Sequence, residues 1–141
     1  MKKFIIVLFI LILYCHSAIA QEVINDTINI NKKNIIISIP QSYYIDKSLS
    51  YYEEGFIVTY RLSNNSVISI HTGAMLDFSL YIKCAEKSIN YRGICSYKGK
   101  YKNMPFRMDI YDKPNMVILY ISHKEIVFDI SDIIMDNIII H

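Results

Sequence analysis

The sequence predicts an α+β protein, an antiparallel sheet of two hairpins plus a three-strand meander covered by two helices, about 78–90 and 123–137. Three observations predict it. Apolar and polar residues alternate around Ile28–Ile39 and Phe56–Ile70, as they do in half-buried strands. Between Asp77 and Asn90 the period lengthens, and Phe78, Ile82, Ala85 and Ile89 recur every three or four residues along one helical face. After Ser122 it lengthens again, behind a Ser-x-x-Glu capping pattern at Ser122 and Glu125.

The elements follow in order. Ile28 and Ile30, then Ile35, Ile37 and Ile39, form the first hairpin around Asn31 to Asn34, and Pro40 ends it. Residues 40–55 read as a long connection. Phe56, Val58, Tyr60 and Leu62 alternate, Ser63 to Ser66 turn, and Ile68 and Ile70 alternate back. Asp77 is the expected N-cap of the first helix, and Asn90 to Gly93 its stop. Cys95, Tyr97 and Tyr101 share a face of strand 94–102. Phe106, Met108 and Ile110 share one of the next strand, and 116–121 is apolar on both sides. In the last helix Ile126, Val127, Ile130, Ile133, Ile134 and Ile138 form an apolar arc opposite Asp129, Asp132 and Asp136. Isoleucine is a modest helix former, so packing must hold that helix; a hairpin ending at Phe128 is the competing reading.

The chain of 141 residues opens as an address label. Lys2 and Lys3 precede an uncharged run from Phe4 to Tyr14, and Ala18-Ile19-Ala20 supplies small residues where a signal peptidase reads. This reads as a cleaved secretory signal over 1–20, with 21–141 as one globular domain and an exported, periplasmic or extracellular location. The apolar run is shorter than the roughly 20 residues of a membrane span, so no stable span is expected after cleavage. Cys15 follows Tyr14 rather than a small residue, which argues against lipidation. The whole chain holds 15 basic and 13 acidic residues. Cleavage removes two lysines and leaves a neutral domain, without the positive charge that nucleic acid would attract.

The charge is unevenly spread. Residues 83–113 carry eight basic residues against three acidic ones, and 114–141 carry one basic against four acidic. Strand alternation puts Lys98, Lys100 and Lys102 on one face, either a positive strip for an acidic protein or an anionic envelope polymer, or a solvated sheet face or lysines that blunt an exposed edge. Tyr43, Tyr44, Tyr51 and Tyr52 gather in the 40–55 connection, as a partner surface or as rings packed over the core. In an oxidising compartment Cys84 and Cys95 are expected to be bridged, the helix carrying Cys84 lying over the strand face of Cys95 and Tyr97; two free thiols are the rival.

Catalytic patterns are sparse. Neither a phosphate-binding Gly motif nor a GxSxG is present. No metal or other cofactor is expected: His71 is distant in sequence from the cysteines, and the Asp129/Asp132/Asp136 stripe reads as a solvated helix face. His71 alternates with Val67 and Ser69 onto the more polar face of its strand, and Glu53-Glu54 reads as surface. The expectation is an exported non-enzymatic protein that binds another macromolecule, such as a periplasmic inhibitor or immunity-type protein. A module for an envelope lipid or polysaccharide is the alternative, and a small hydrolase a third.

Overall fold

A computed structural model describes residues 22–73, 77–91, 93–113, 115–122 and 130–141. The protein is β-rich, with two antiparallel sheets and short helices. Strand β1 (Val23–Ile30), β2 (Lys33–Pro40) and β10 (Ile139–Ile140) form a three-stranded sheet in the order β1-β2-β10. The larger sheet uses β3 (Tyr44–Tyr52), β4 (Gly55–Leu62), β5 (Ser66–Thr72), β6 (Ala85–Tyr91), β7 (Ile94–Tyr101), β8 (Met104–Tyr111) and β9 (Met116–Ser122). Its order is β3-β4-β5-β9-β8-β7-β6. Helix α1 (Ser79–Lys83) and helix α2 (Ile130–Asp136) complete the fold.

Local chemistry explains the hairpins. Asn31 and Lys32 both take positive φ, as do Lys102 and Asn103, the pair of left-handed residues that a tight two-residue hairpin turn requires. The registers Ile30↔Lys33 and Tyr101↔Met104 close directly on those turns. Once the registers are fixed, alternation sends Ile28, Ile30, Ile35, Ile37 and Ile39 inward from the small sheet. They meet Val58, Tyr60, Leu62, Ile68, Ile70, Met116 and Ile118 of the large one. Ile130, Ile134 and Met135 of α2 join that core. A smaller cluster on the opposite face holds Phe106, Met108 and Leu119, with Phe78 and Tyr81 at α1 packed over it.

The two sheets are pinned where they meet. Tyr60 is fully buried, and its hydroxyl donates to Asp26 of β1 at 2.7 Å. Lys47 of β3 lies 2.5 Å from the same carboxylate. Burial, reinforced by the adjacent Asp26 carboxylate, raises the Tyr60 pKa above its ordinary value.

Several expectations need correction. The 40–55 connection contains β3, an edge strand exposed along most of its length. With neither face buried it has no alternation to read. The expected helix over 78–90 is helical only at Ser79–Lys83, and Ala85–Tyr91 is β6. The supposed apolar stripe is not a buried face, since Ile82 and Ile89 are exposed. Pairing with β7 supplies the backbone hydrogen bonds that a longer helix would have made. Asp77 is not the N-cap; Phe78 is, and Asp77 accepts a hydrogen bond from the Ser79 N–H at 2.8 Å.

The meander is present as β7, β8 and β9. Of the expected helix over 123–137, α2 covers Ile130–Asp136, while 123–129, including Asp129 and Phe128, lie outside the described residues. Ser122, expected as a helix cap, ends β9. The signal segment 1–20 also lies outside them.

Candidate functional site

The small sheet covers only part of the large one. Beyond it, β8, β7 and β6 continue as a wing whose inner face borders α2 and β10. The result is an open groove of about 600 Å³. Its walls include Ile89, Tyr91, Ile94, Met135, Ile138 and Ile140, and its floor carries Lys98, Arg107, Asp109, Asp132 and Asp136.

The floor follows from two spacings. Arg107 and Asp109 are two apart on β8 and therefore share a face. Asp132 and Asp136 are four apart on α2 and share a side. Arg107 Nη2 donates to Asp109 at 2.9 Å and to Asp136 at 2.7 Å, and Nη1 donates to Asp132 at 2.5 Å. Lys98 reaches Asp132 at 2.7 Å, and the Ser96 hydroxyl donates to Asp109 at 2.5 Å. The Arg107 and Asp109 side chains are only 10% and 2% exposed, so each depends on the other for its charge.

Burial opposes the charge on Arg107, but hydrogen bonds with Asp109, Asp136 and Asp132 outweigh it and raise the guanidinium pKa. Burial likewise opposes the charge on Asp132, and Lys98 and Arg107 hold its carboxyl below the ordinary value. Burial first, and the nearby Asp109 carboxylate second, push the Tyr111 phenol up to about 12. Two cations and three carboxylates leave the floor with one net negative charge. Its exposed side is Asp136, whose side chain is 64% accessible.

Each candidate residue has a place in this arrangement. Lys98 is in the groove but is neutralised by Asp132. Lys100 is on the same strand face two residues on. Lys102 sits in the β7–β8 turn, with its ammonium 5.3 Å from the centre of the Tyr101 ring. The three lysines therefore do not make one open strip. Tyr43 and Tyr44 pack against the main core, and the Tyr52 hydroxyl donates to the Thr72 carbonyl. Tyr51 alone of the four is largely exposed, at 77%.

Cys84 and Cys95 are free, which corrects the expected bridge. Ala85 lies opposite Gly99 and Asn90 opposite Cys95, so the cysteines sit at opposite ends of the β6–β7 ladder. At about 3.3 Å per residue they are more than about 10 Å apart, beyond the Cα separation of about 7 Å that a disulfide tolerates.

His71 is on the face expected of it, with Val67 and Ser69, but it is half-buried rather than superficial. Its Nε2 lies 2.7 Å from the Ser69 hydroxyl, and the ring packs edge-on against Phe78 at 5.3 Å. Burial lowers its pKa to about 4. Nδ1 has no hydrogen-bond partner among the described residues. No group of three His, Cys, Asp or Glu side chains suited to a metal ion occurs among the described residues. Among them no helix is long and apolar enough to cross a membrane.

Sequence reasoning missed the ionic floor. The available signal was Arg107 and Asp109 lying between apolar residues in the middle of a meander strand, where unpaired charges would be costly. Comparison of the chain with protein-family models, with curated proteins and with solved structures returned no match.

Proposed function

We propose that the chain is an exported, non-enzymatic binding protein and that the groove beside α2 holds a segment of a partner protein. The groove itself carries this reading. It is preformed, its apolar walls surround a floor already fixed by ion pairs, and Tyr91 at its rim is 61% exposed. Such a floor needs little reordering when a partner arrives, and exposed tyrosine beside apolar walls is typical anchor chemistry. The net negative floor favours a partner segment that joins apolar side chains to a positive one. A protein partner fits better than an anionic envelope polymer, because the charge of Lys98 is already answered by Asp132.

The test is affinity capture from the exported fraction, followed by titration of the recovered partner. Tyr91→Ala should weaken that partner's binding by about 2 kcal/mol or more, mainly through faster dissociation. Asp136→Ala should weaken it less, and Tyr51→Ala, outside the groove, should leave it unchanged. Equal binding by Tyr91→Ala would reject the groove, and a hydrolytic activity abolished by His71→Ala would reject the binding-protein reading. Export is tested separately by intact mass: the exported form should begin at Gln21.

A further inference from the structure

We propose that two copies of the chain associate through β6, pairing antiparallel about a two-fold axis that passes between their Ile89 residues. This does not depend on what occupies the groove.

β6 ends the large sheet, so one side of its backbone has no neighbouring strand among the described residues. Every residue from Glu86 to Tyr91 is exposed. Pairing with β7 is regular from Lys87 to Tyr91, the only irregularity lying between Ala85 and Lys87. The regular stretch reads Lys-Ser-Ile-Asn-Tyr and is complementary to itself when reversed. With Ile89 at the centre, Lys87 faces Tyr91 of the second copy, Ser88 faces Asn90, and Ile89 faces Ile89. These pairs set an ammonium beside a phenol ring, a hydroxyl beside an amide, and two apolar side chains together. Centring on Ser88 instead would set Lys87 against Ile89.

The opposite edge is built to refuse such pairing. β3 is bulged between Tyr44 and Asp46, Asp46 is bound by Arg61, and Lys47 turns inward to Asp26. Inward-pointing charges and bulges are standard protections of a sheet edge.

Directly opposed residues of an antiparallel pair share a face. Lys87, Ile89 and Tyr91 of both copies would therefore lie on the groove side, and each copy would extend the wall of the other's groove. So short an edge buries far less than the roughly 1,000 Å² of a stable interface, so the dimer should dissociate in the micromolar-to-millimolar range.

Sedimentation of the purified protein from about 1 μM to about 1 mM should show a monomer–dimer equilibrium. Ile89→Lys opposes two ammonium groups across the axis and should weaken the dimer at least about tenfold. Ile89 is half exposed, so the fold should survive, as circular dichroism would verify. Register is tested by cysteine pairing in a Cys84→Ser/Cys95→Ser background. Ile89→Cys should form a covalent dimer on mild oxidation, because opposed Cα atoms lie about 4.5–5.5 Å apart. Ser88→Cys should not do so alone, but should when Asn90→Cys is added. A monomer at every concentration, cross-linking by Ser88→Cys alone, or open polymers from β6 pairing with β3 of the next copy would each overturn the proposal.

Discussion

Two halves of one sheet face differ sharply in chemistry. One cross-strand row runs Val58, Ile70, Ile118, Asp109, Ser96, Ile89, and the next runs Tyr60, Ile68, Tyr120, Arg107, Lys98, Lys87. Both rows change from apolar or aromatic to polar at the same boundary, between β9 and β8, and only Ile89 at the far edge turns apolar again. On one side the small sheet lies overhead and presents isoleucine. On the other, α2 lies overhead and presents Asp132 and Asp136. Burial is nearly complete on both sides of the boundary at Ile118 and Asp109. The layer above each row therefore matters as much as the pleat: an apolar cover demands apolar residues, and an acidic cover lets Arg107 exist without water.

The sharpest way to break this contrast is to remove the central cation. Arg107→Leu should destabilise the protein by about 3–5 kcal/mol in urea denaturation, because Asp109 stays buried without its ion pair. The double variant Arg107→Leu/Asp109→Leu should be more stable than the single one, since no buried charge is then left uncompensated. If the two variants lose equally, the charged half owes its stability to shape rather than to pairing.

On the apolar side the comparable step is smaller. Ile118→Val removes one methylene opposite Asp109 and should cost about 0.5–1.5 kcal/mol. Smaller still is Lys98→Ala. Its pair with Asp132 is roughly a third exposed on each side, so water screens it, and the loss should be below about 1 kcal/mol. Equal costs for Arg107→Leu and Lys98→Ala would remove the distinction drawn between the buried and the water-screened ion pairs of the floor.

The two halves were unequally legible in the sequence. Ile35, Ile37, Ile39, Ile68 and Ile70 announce themselves by strict alternation, and both hairpins follow from them; the meander follows from Phe106, Met108 and Ile110 and the apolar run 116–121. β3 gave no such signal, because an exposed edge strand needs no apolar face. β6 reads as helix in the sequence because Phe78, Ile82, Ala85 and Ile89 fall at helical spacing by coincidence, while pairing with β7 decides the backbone. The ionic floor joins β8 to α2 across 25 positions or more, from Arg107 to Asp132 and Asp136. Local pattern could show Asp132 and Asp136 on one side of a helix, but not that a buried arginine would meet them. The cysteines are separated for the same reason: Cys84 caps α1, and the strand that follows pairs with β7 in a register that leaves Cys95 at the far end.

Acid titration should separate the inner and outer faces of the sheet most finely. His71 lies on the outer face, and burial lowers its pKa from 6.5 to about 4. Between those values the unfolded chain binds a proton there that the folded protein resists, so stability from this source declines as pH falls from about 6.5 towards 4. Asp132 behaves differently. Its folded pKa is below 3.8, so its contribution is intact above that value and is lost only as pH falls through the folded pKa. His71→Gln should therefore flatten the stability profile between pH 6.5 and 4 while leaving the later loss in place. Asp132→Asn should do the reverse, lowering stability at neutral pH and reducing the slope below pH 3.8. Urea midpoints measured across both windows would test this, and a His71→Gln profile unchanged between pH 6.5 and 4 would show that the outer face does not bury a titrating imidazole.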